Sequence, residues 1–179
     1  MGDIFFLGID PDYTNSGYAV ILKNSIIKVG TLKTSVSRYG VQFDIPDSLY
    51  EVLGSCVCGV EIPVLGKTKI FGKTAGEVQG KAIGLAKCMF MGGYIAHYMR
   101  EHCHKVWLIE PVEWNPCKRK KETVHRELFM VYPRLRDLRE KRGNGVNDDS
   151  IDAVLIAKAV QKRYKIEAGK KRMQKTLDK

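Results

Sequence analysis

With 179 residues, 44% of them hydrophobic, the chain is long enough for one domain with a sheet and several helices around a core, and too apolar for a disordered segment. Thirty Lys and Arg against twenty Asp and Glu leave a formal charge of +10, which points to a polyanionic partner, nucleic acid ahead of an acidic membrane surface. Five cysteines, an odd number, exclude a fully paired disulfide framework and fit a reducing compartment.

Ile4 to Ile9 is an apolar, partly β-branched run that suits a strand buried on both faces. Asp10 ends it. A carboxylate at the mouth of a buried strand costs several kcal/mol of desolvation unless a cation meets it, so a metal ion or a basic neighbour is expected there; the plainer reading is the start of a hairpin turn. Pro11, Asp12, Asn15, Ser16 and Gly17 make that turn, Tyr18 to Leu22 returns antiparallel, and Ser25 to Leu32 completes a meander. Lys33 to Phe43 is short and mostly polar, and Pro46 to Leu53 makes one or two helical turns.

Ser55 to Val60 is a second dense apolar run, and it too ends in a carboxylate, Glu61. If these two strands are parallel neighbours, about 4.8 Å apart, Asp10 and Glu61 leave the sheet side by side. The following segment carries Lys67, Lys69, Phe71 and Lys73 among glycines and threonines, a basic loop suited to phosphates and bases or to plain solvation.

Ala75 to Cys103 turns helical. Its apolar part, Ala82 to Tyr98, is interrupted by Lys87 and His97 and is short for a membrane span; no basic segment precedes an apolar run at the N-terminus, so no signal peptide is expected. Gly76, Gly80, Gly84, Cys88, Gly92 and Ala96 recur every four residues as one ridge of small side chains. Glycine weakens a helix by about 1 kcal/mol relative to alanine, so a backbone passing close is expected, either the chain's own sheet or the same helix of a second copy. His97 and His102 have zinc-like spacing near Cys103, His104 and Cys117, but no C-x₂₋₄-C pair completes a structural site.

Lys105 to Ile109 makes a fifth strand. Lys118, Arg119, Lys120 and Lys121 lead into a helix from about Glu122 to Val131, closed by Pro133, and Arg139 to Asn147 reads as a charged loop. Asp148, Asp149 and Asp152 open the last helix. Capping and the helix dipole account for one or two acids in a first turn, Asp148 being read as the cap, but not for Asp152 beside the apolar face. Asp149 and Asp152, three apart, share a face and can aim at one point. The basic residues from Lys162 onward are expected to end as a frayed tail, so residues 1–165 form the domain and 166–179 a flexible basic extension. Carboxylates at two strand ends and on the last helix are what a two-metal phosphodiesterase needs, with two Mg²⁺ about 3.5 to 4 Å apart held by shared carboxylates.

These motifs resemble the RuvC family of Holliday-junction resolvases, within the ribonuclease H-like superfamily. Gly8-Ile9-Asp10-Pro11 with Asn15-Ser16-Gly17-Tyr18 is similar to the family's first motif, Val60-Glu61 to its second, and Asp149-Ser150-Ile151-Asp152-Ala153 to its closing Asp-x-x-Asp-Ala helix. The resemblance covers about residues 4 to 160, each motif weak alone and the ordered set fairly specific. It implies an α/β fold with a mixed five-stranded ribonuclease H-like sheet flanked by helices. It also implies a metal-dependent endonuclease on four-way DNA junctions. Asp10, Glu61, Asp149 and Asp152 would hold two Mg²⁺, with Mn²⁺ as a substitute, and Lys121 would sit near the scissile phosphate. DNA contacts would come from Lys67, Lys69, Phe71, Lys73, Lys118, Arg119 and Lys120. The glycine-rich helix 76–100 would make a homodimer, acting at the nucleoid in the cytoplasm, or in a host cytoplasm for a phage or viral member. The chain departs from the family in carrying Asp12 where glycine is usual and in lacking a lysine around Glu113 or Trp114, where Lys118 or Arg119 would substitute.

Three other readings compete. Gly8-Ile9-Asp10 with Thr14-Asn15-Ser16 is also similar to the phosphate loop of actin-like and Hsp70-like ATPases, which need two such domains and more chain than this. A nuclease of the same fold on flapped or otherwise branched DNA keeps every motif. A DNA-binding module without catalysis leaves four convergent carboxylates without a purpose.

Overall fold

A computed structural model describes residues 3–37, 40–63, 72–117, 119–140 and 145–177. The chain runs β1 (Phe5–Asp10), β2 (Asn15–Leu22), β3 (Ser25–Ser37), β4 (Gly40–Asp44), α1 (Asp47–Leu53), β5 (Cys56–Glu61), α2 (Ala75–His102), β6 (Lys105–Ile109), α3 (Pro111–Trp114), α4 (Lys121–Val131), α5 (Pro133–Glu140) and α6 (Asp148–Leu177). The strands form one sheet in the order β4-β3-β2-β1-β5-β6. β1 to β4 are an antiparallel meander, and β5 and β6 add parallel to β1.

Side chains alternating along β1 and β5 feed two cores. Leu7, Ile9, Cys58 and Val60 pack under α1 and α2 with Leu49, Met91, Ile95 and Met99. Phe6, Val57 and Ile109 pack on the other face with Leu128 of α4, Leu135 of α5 and Ile151, Val154 and Ile156 of α6. What lets α6 lie so close is glycine in the sheet. A Cβ on Gly8 would stand 2.1 Å from the Ala153 carbonyl oxygen, and one on Gly17 would stand 2.1 Å from the Asp149 carbonyl carbon. α6 therefore rests on bare backbone of β1 and β2, with its first turn against Gly17, the partner of Asp10 in the β1–β2 ladder.

The α/β class expected from the sequence stands, but the sheet has six strands, not five. The extra one is β4, where half-buried Val41 and Phe43 alternate with exposed Gln42 and Asp44. α4 ends at Val131, just ahead of Pro133, as expected, but Pro133 also begins a helix not expected from the sequence. It opens α5, because proline's fixed φ and missing N–H suit a first helical position, and α5 takes in Arg139. α6 continues without a break to Leu177, so the basic residues read as a frayed tail are helical to that point.

The small-residue ridge of α2 divides. A Cβ on Gly92 would stand 3.0 Å from the Glu61 carbonyl oxygen and 3.2 Å from Ile62, and Ala96 is buried, so this part packs on the chain's own strand ends. Among the described residues nothing lies within 4 Å of a Cβ placed on Gly80 or Gly84, and α2 is exposed or half-buried from Ala75 to Phe90. Among the described residues no helix is long and apolar enough to cross a membrane.

Candidate active site

The parallel ladder pairs Ile9 with Val60, so the next residues, Asp10 and Glu61, leave the sheet as neighbours. α6 supplies the other two acids. Its start is fixed by Asn147, whose Oδ1 accepts from the Ser150 N–H at 2.9 Å, while Ser150 Oγ donates to the Gly30 carbonyl at 2.8 Å. With that turn held on Gly17, Asp149 and Asp152 come over the end of β1. Asp10, Asp149 and Asp152 each offer a carboxylate oxygen, and these three oxygens all lie within 4.8 Å of one another. Glu61 stands beside that trio, its Oε2 accepting from Trp114 Nε1 at 2.7 Å.

Both oxygens of buried Asp152 are engaged. Oδ1 meets His125 Nε2 at 2.6 Å and Oδ2 meets Lys121 Nζ at 2.5 Å; Lys121 is also 3.8 Å from Asp149. Lys121 and His125 are four apart on α4, one turn of one face, and so meet the same carboxylate. Asn147 Nδ2 donates to Asp149 Oδ2 at 3.1 Å.

The electrostatics show a cluster short of positive charge. Burial, then the charges of Glu61, Asp152 and Asp149, hold the Asp10 carboxyl well above the usual range, with Lys121 opposing. Burial pushes Glu61 to about 7, against the Trp114 hydrogen bond and Lys121. Burial also raises Asp149, which Lys121 again counters. For Lys121 itself burial works downward, and the Asp152 hydrogen bond with the nearby carboxylates outweighs it, so its pKa rises. One ammonium cannot balance several desolvated carboxylates, and the all-oxygen donor set fits a hard divalent cation.

The structure brings together Asp10, Glu61, Lys121 and the pair Asp149 and Asp152 from four separate elements, β1, β5, α4 and α6. Asp148 is neither the cap, which is Asn147, nor a member of the cluster: its Oδ1 meets Arg139 Nη2 at 2.7 Å. Asp12, which stands in place of the usual glycine, shapes the β1–β2 turn, its Oδ1 accepting from the Thr14 N–H at 3.2 Å and its carbonyl from Thr34 Oγ1 at 3.0 Å. Of the expected DNA contacts, Lys73 precedes the Thr74 cap of α2, Arg119 pairs with Glu127 at 2.6 Å and Lys120 caps α4, all exposed. Lys67, Lys69, Phe71 and Lys118 lie outside the described residues. His125 and Trp114 were not singled out by sequence reasoning. In the region around Glu113 and Trp114, where the resemblance implies a basic residue, the indole of Trp114 reaches Glu61.

An antiparallel meander extended by parallel strands, with a C-terminal helix seated on its first two strands, defines a ribonuclease H-like fold of the RuvC type. Two solved structures are similar to it. One is T. thermophilus RuvC in complex with Holliday junction substrate, with TM-score 0.51 and 16% identity over 90% of this chain and 96% of that one. The other is a Thermus thermophilus RuvC structure, with TM-score 0.48 and 16% identity over 92% and 97%. No protein-family model matches the sequence, and no curated protein matches it.

Proposed function

We propose that the chain is a structure-specific endodeoxyribonuclease that resolves four-way DNA junctions by paired hydrolytic cuts, acting as a homodimer with two divalent ions per active site. The observation that carries this reading is the convergence of Asp10, Asp149 and Asp152 oxygens within 4.8 Å, with Glu61 alongside, at the C-terminal ends of the interior strands β1 and β5 of a RuvC-like sheet. Phosphate binding alone gives no reason to gather desolvated acids. The similar T. thermophilus protein was solved with a Holliday junction, and the formal charge of +10 suits such a polyanion.

In this reading the four carboxylates hold Mg²⁺, or Mn²⁺ in its place. Held by those carboxylates, such ions would supply an activated water and would offset charge on the departing 3′ oxygen. Trp114 fixes the orientation of Glu61 and His125 that of Asp152, so both are presented in one geometry. Lys121, now paired with Asp152, turns in the loaded site to the scissile phosphate and stabilises its added charge. Lys73, Arg119 and Lys120, with Lys67, Lys69, Phe71 and Lys118, contact the flanking backbone, and the basic end of α6 adds affinity that is independent of sequence. Each chain has one acid cluster and a junction needs two cuts. The exposed stretch of α2 around Gly80 and Gly84, with Ile83 and Phe90 at the surface, is the face for a second copy.

Purified protein with Mg²⁺ on synthetic four-way, three-way, flap and linear duplex DNA tests this. Paired symmetric nicks across the four-way junction are expected, and Asp10→Asn should abolish cutting while junction binding survives. Cutting confined to flaps would select the nuclease of other branched DNA, and no cutting with any divalent ion would remove catalysis altogether.

A further inference from the structure

A cleft of about 590 Å³ lies between α4 and α5 and opens beside the acid cluster. One wall carries Lys121, Arg126 and Phe129 of α4, Arg126 and Phe129 being three apart, and the other carries Arg136 and Arg139, three apart on α5. Asp148 closes the end next to Asp149 and holds the Arg139 guanidinium at 2.7 Å. That guanidinium also lies over the Phe129 ring, 5.9 Å from its centre, so two contacts orient it across the cleft. Arg126 is exposed and has no acidic partner among the described residues, while Arg136 has only its sequence neighbour Asp137 at 4.0 Å.

Guanidinium groups in a fixed fork match phosphate oxygens two at a time, and an arginine left unpaired on a cleft wall keeps that capacity. The cleft begins at Lys121, whose ammonium reaches Asp152. Lys121 thus belongs both to the acid cluster and to the lining of the cleft that Arg126 and Arg136 share. We propose that the α4–α5 cleft is a second backbone-binding site, which takes DNA phosphates adjacent to the one at the acid cluster. This rests on the nuclease reading above and extends the DNA contacts to residues beyond the basic run 118–121.

The test is the affinity of a synthetic four-way junction, with Ca²⁺ replacing Mg²⁺ so that binding is read without cutting, across a salt series. The exposed pair is changed in two ways, Arg126→Gln with Arg136→Gln and Arg126→Lys with Arg136→Lys. The glutamine pair should bind at least about tenfold more weakly and lower the slope of log affinity against log salt by about 1.8 per bound chain, about 3.6 for a dimer on one junction, whereas the lysine pair keeps the slope. If wild type cuts the junction with Mg²⁺ and the glutamine pair retains its affinity and slope, the cleft assignment falls and the nuclease reading stands. A wild type that neither binds nor cuts branched DNA would overturn both.

Discussion

Glycine is used on both sides of the sheet, for opposite ends. Under α6 the glycines belong to the strands: Gly8 and Gly17 clear a bed so narrow that an added Cβ would stand about 2 Å from helix backbone. Under α2 the glycines belong to the helix, and only Gly92 touches the chain's own strand ends; Gly80 and Gly84 face open space. The α6 arrangement determines where Asp149 and Asp152 come to rest relative to Asp10, with one carboxylate oxygen of each within 4.8 Å of the others. The α2 arrangement leaves a stretch, Ala75 to Phe90, that is exposed or half-buried among the described residues. One residue type thus builds a site in the first place and leaves a surface in the second.

The largest effect should come from filling the α6 bed. Gly17→Val places a branched side chain where the Asp149 carbonyl and the Ser150 nitrogen lie. Neither neighbour is a flexible side-chain end, so the helix start must lift or the chain must unfold. Overpacking of this kind costs about 3 kcal/mol or more. Urea denaturation should show that loss, and Mn²⁺ binding followed by electron paramagnetic resonance should disappear with it. A variant with the wild-type midpoint and bound Mn²⁺ would mean that α6 does not need this contact, and the contrast between the helices would fail.

A smaller effect is expected at His125, which reaches the site from α4. His125→Phe keeps an aromatic ring in the buried position but removes the group that meets Asp152 Oδ1 at 2.6 Å. Partners that orient a ligating carboxylate are worth about 10- to 100-fold in metal affinity or activity, and that loss is expected in a Mn²⁺ titration without DNA. His125→Gln, which retains a donor, should recover part of it. Equal affinities in all three proteins would make His125 a packing residue only.

These two positions mark what the sequence could and could not reveal. Asp10 and Glu61 stand out because an acid ending an apolar run is locally anomalous, and the pair Asp149 and Asp152 because a three-residue interval puts both on one helix face. His125 lies 27 residues from Asp152 and Trp114 lies 53 from Glu61, and no local period encodes such contacts. β4 was hidden differently. Its alternation of Val41, Gln42, Phe43 and Asp44 is a proper strand pattern, but an edge strand with one covered face is half polar, and composition outweighed the period. Pro133 carries two meanings, the end of one helix or the start of the next, and only the packing of Leu135 into the α6 side of the core separates them.

Next in size is a pH effect, which also belongs to the α6 side. Glu61 is raised by burial from its ordinary 4.5 to about 7, and Asp10 moves in the same direction. Between those values the folded chain binds more protons than the unfolded chain, so stability falls as pH rises through that window, and the part due to Glu61 levels off above about 7. In EDTA the melting temperature should be higher at pH 5.5 than at pH 8, by on the order of 5 °C. Saturating Mg²⁺ should erase or reverse the difference, because the ionised carboxylates then have a cation to hold. A melting temperature that climbs with pH in EDTA would show that the acids are not desolvated as a group.

The smallest change in fold stability should be at Gly84, where the other half of the comparison is decided. α2 has 28 residues and is therefore about 42 Å long, and its buried residues lie from Met91 to Met99. A leucine at position 84 meets no atom of its own chain within reach of its Cβ, and it replaces the weakest ordinary helix former with a strong one. Gly84→Leu should therefore leave the monomer as stable as wild type, or more stable by up to about 0.8 kcal/mol. If a second copy packs its helix against this face, the same leucine keeps the two backbones apart, and sedimentation should show pairs for wild type and single chains for the variant. Junction binding by the single chains would persist, while paired nicks would give way to single ones. A Gly84→Leu protein that unfolds would place this stretch of α2 against its own sheet. A wild type that remains single at micromolar concentration, alone and on a junction, would leave the exposed glycines without an assembly role and would move the proposed activity to nicking of branched DNA by one chain.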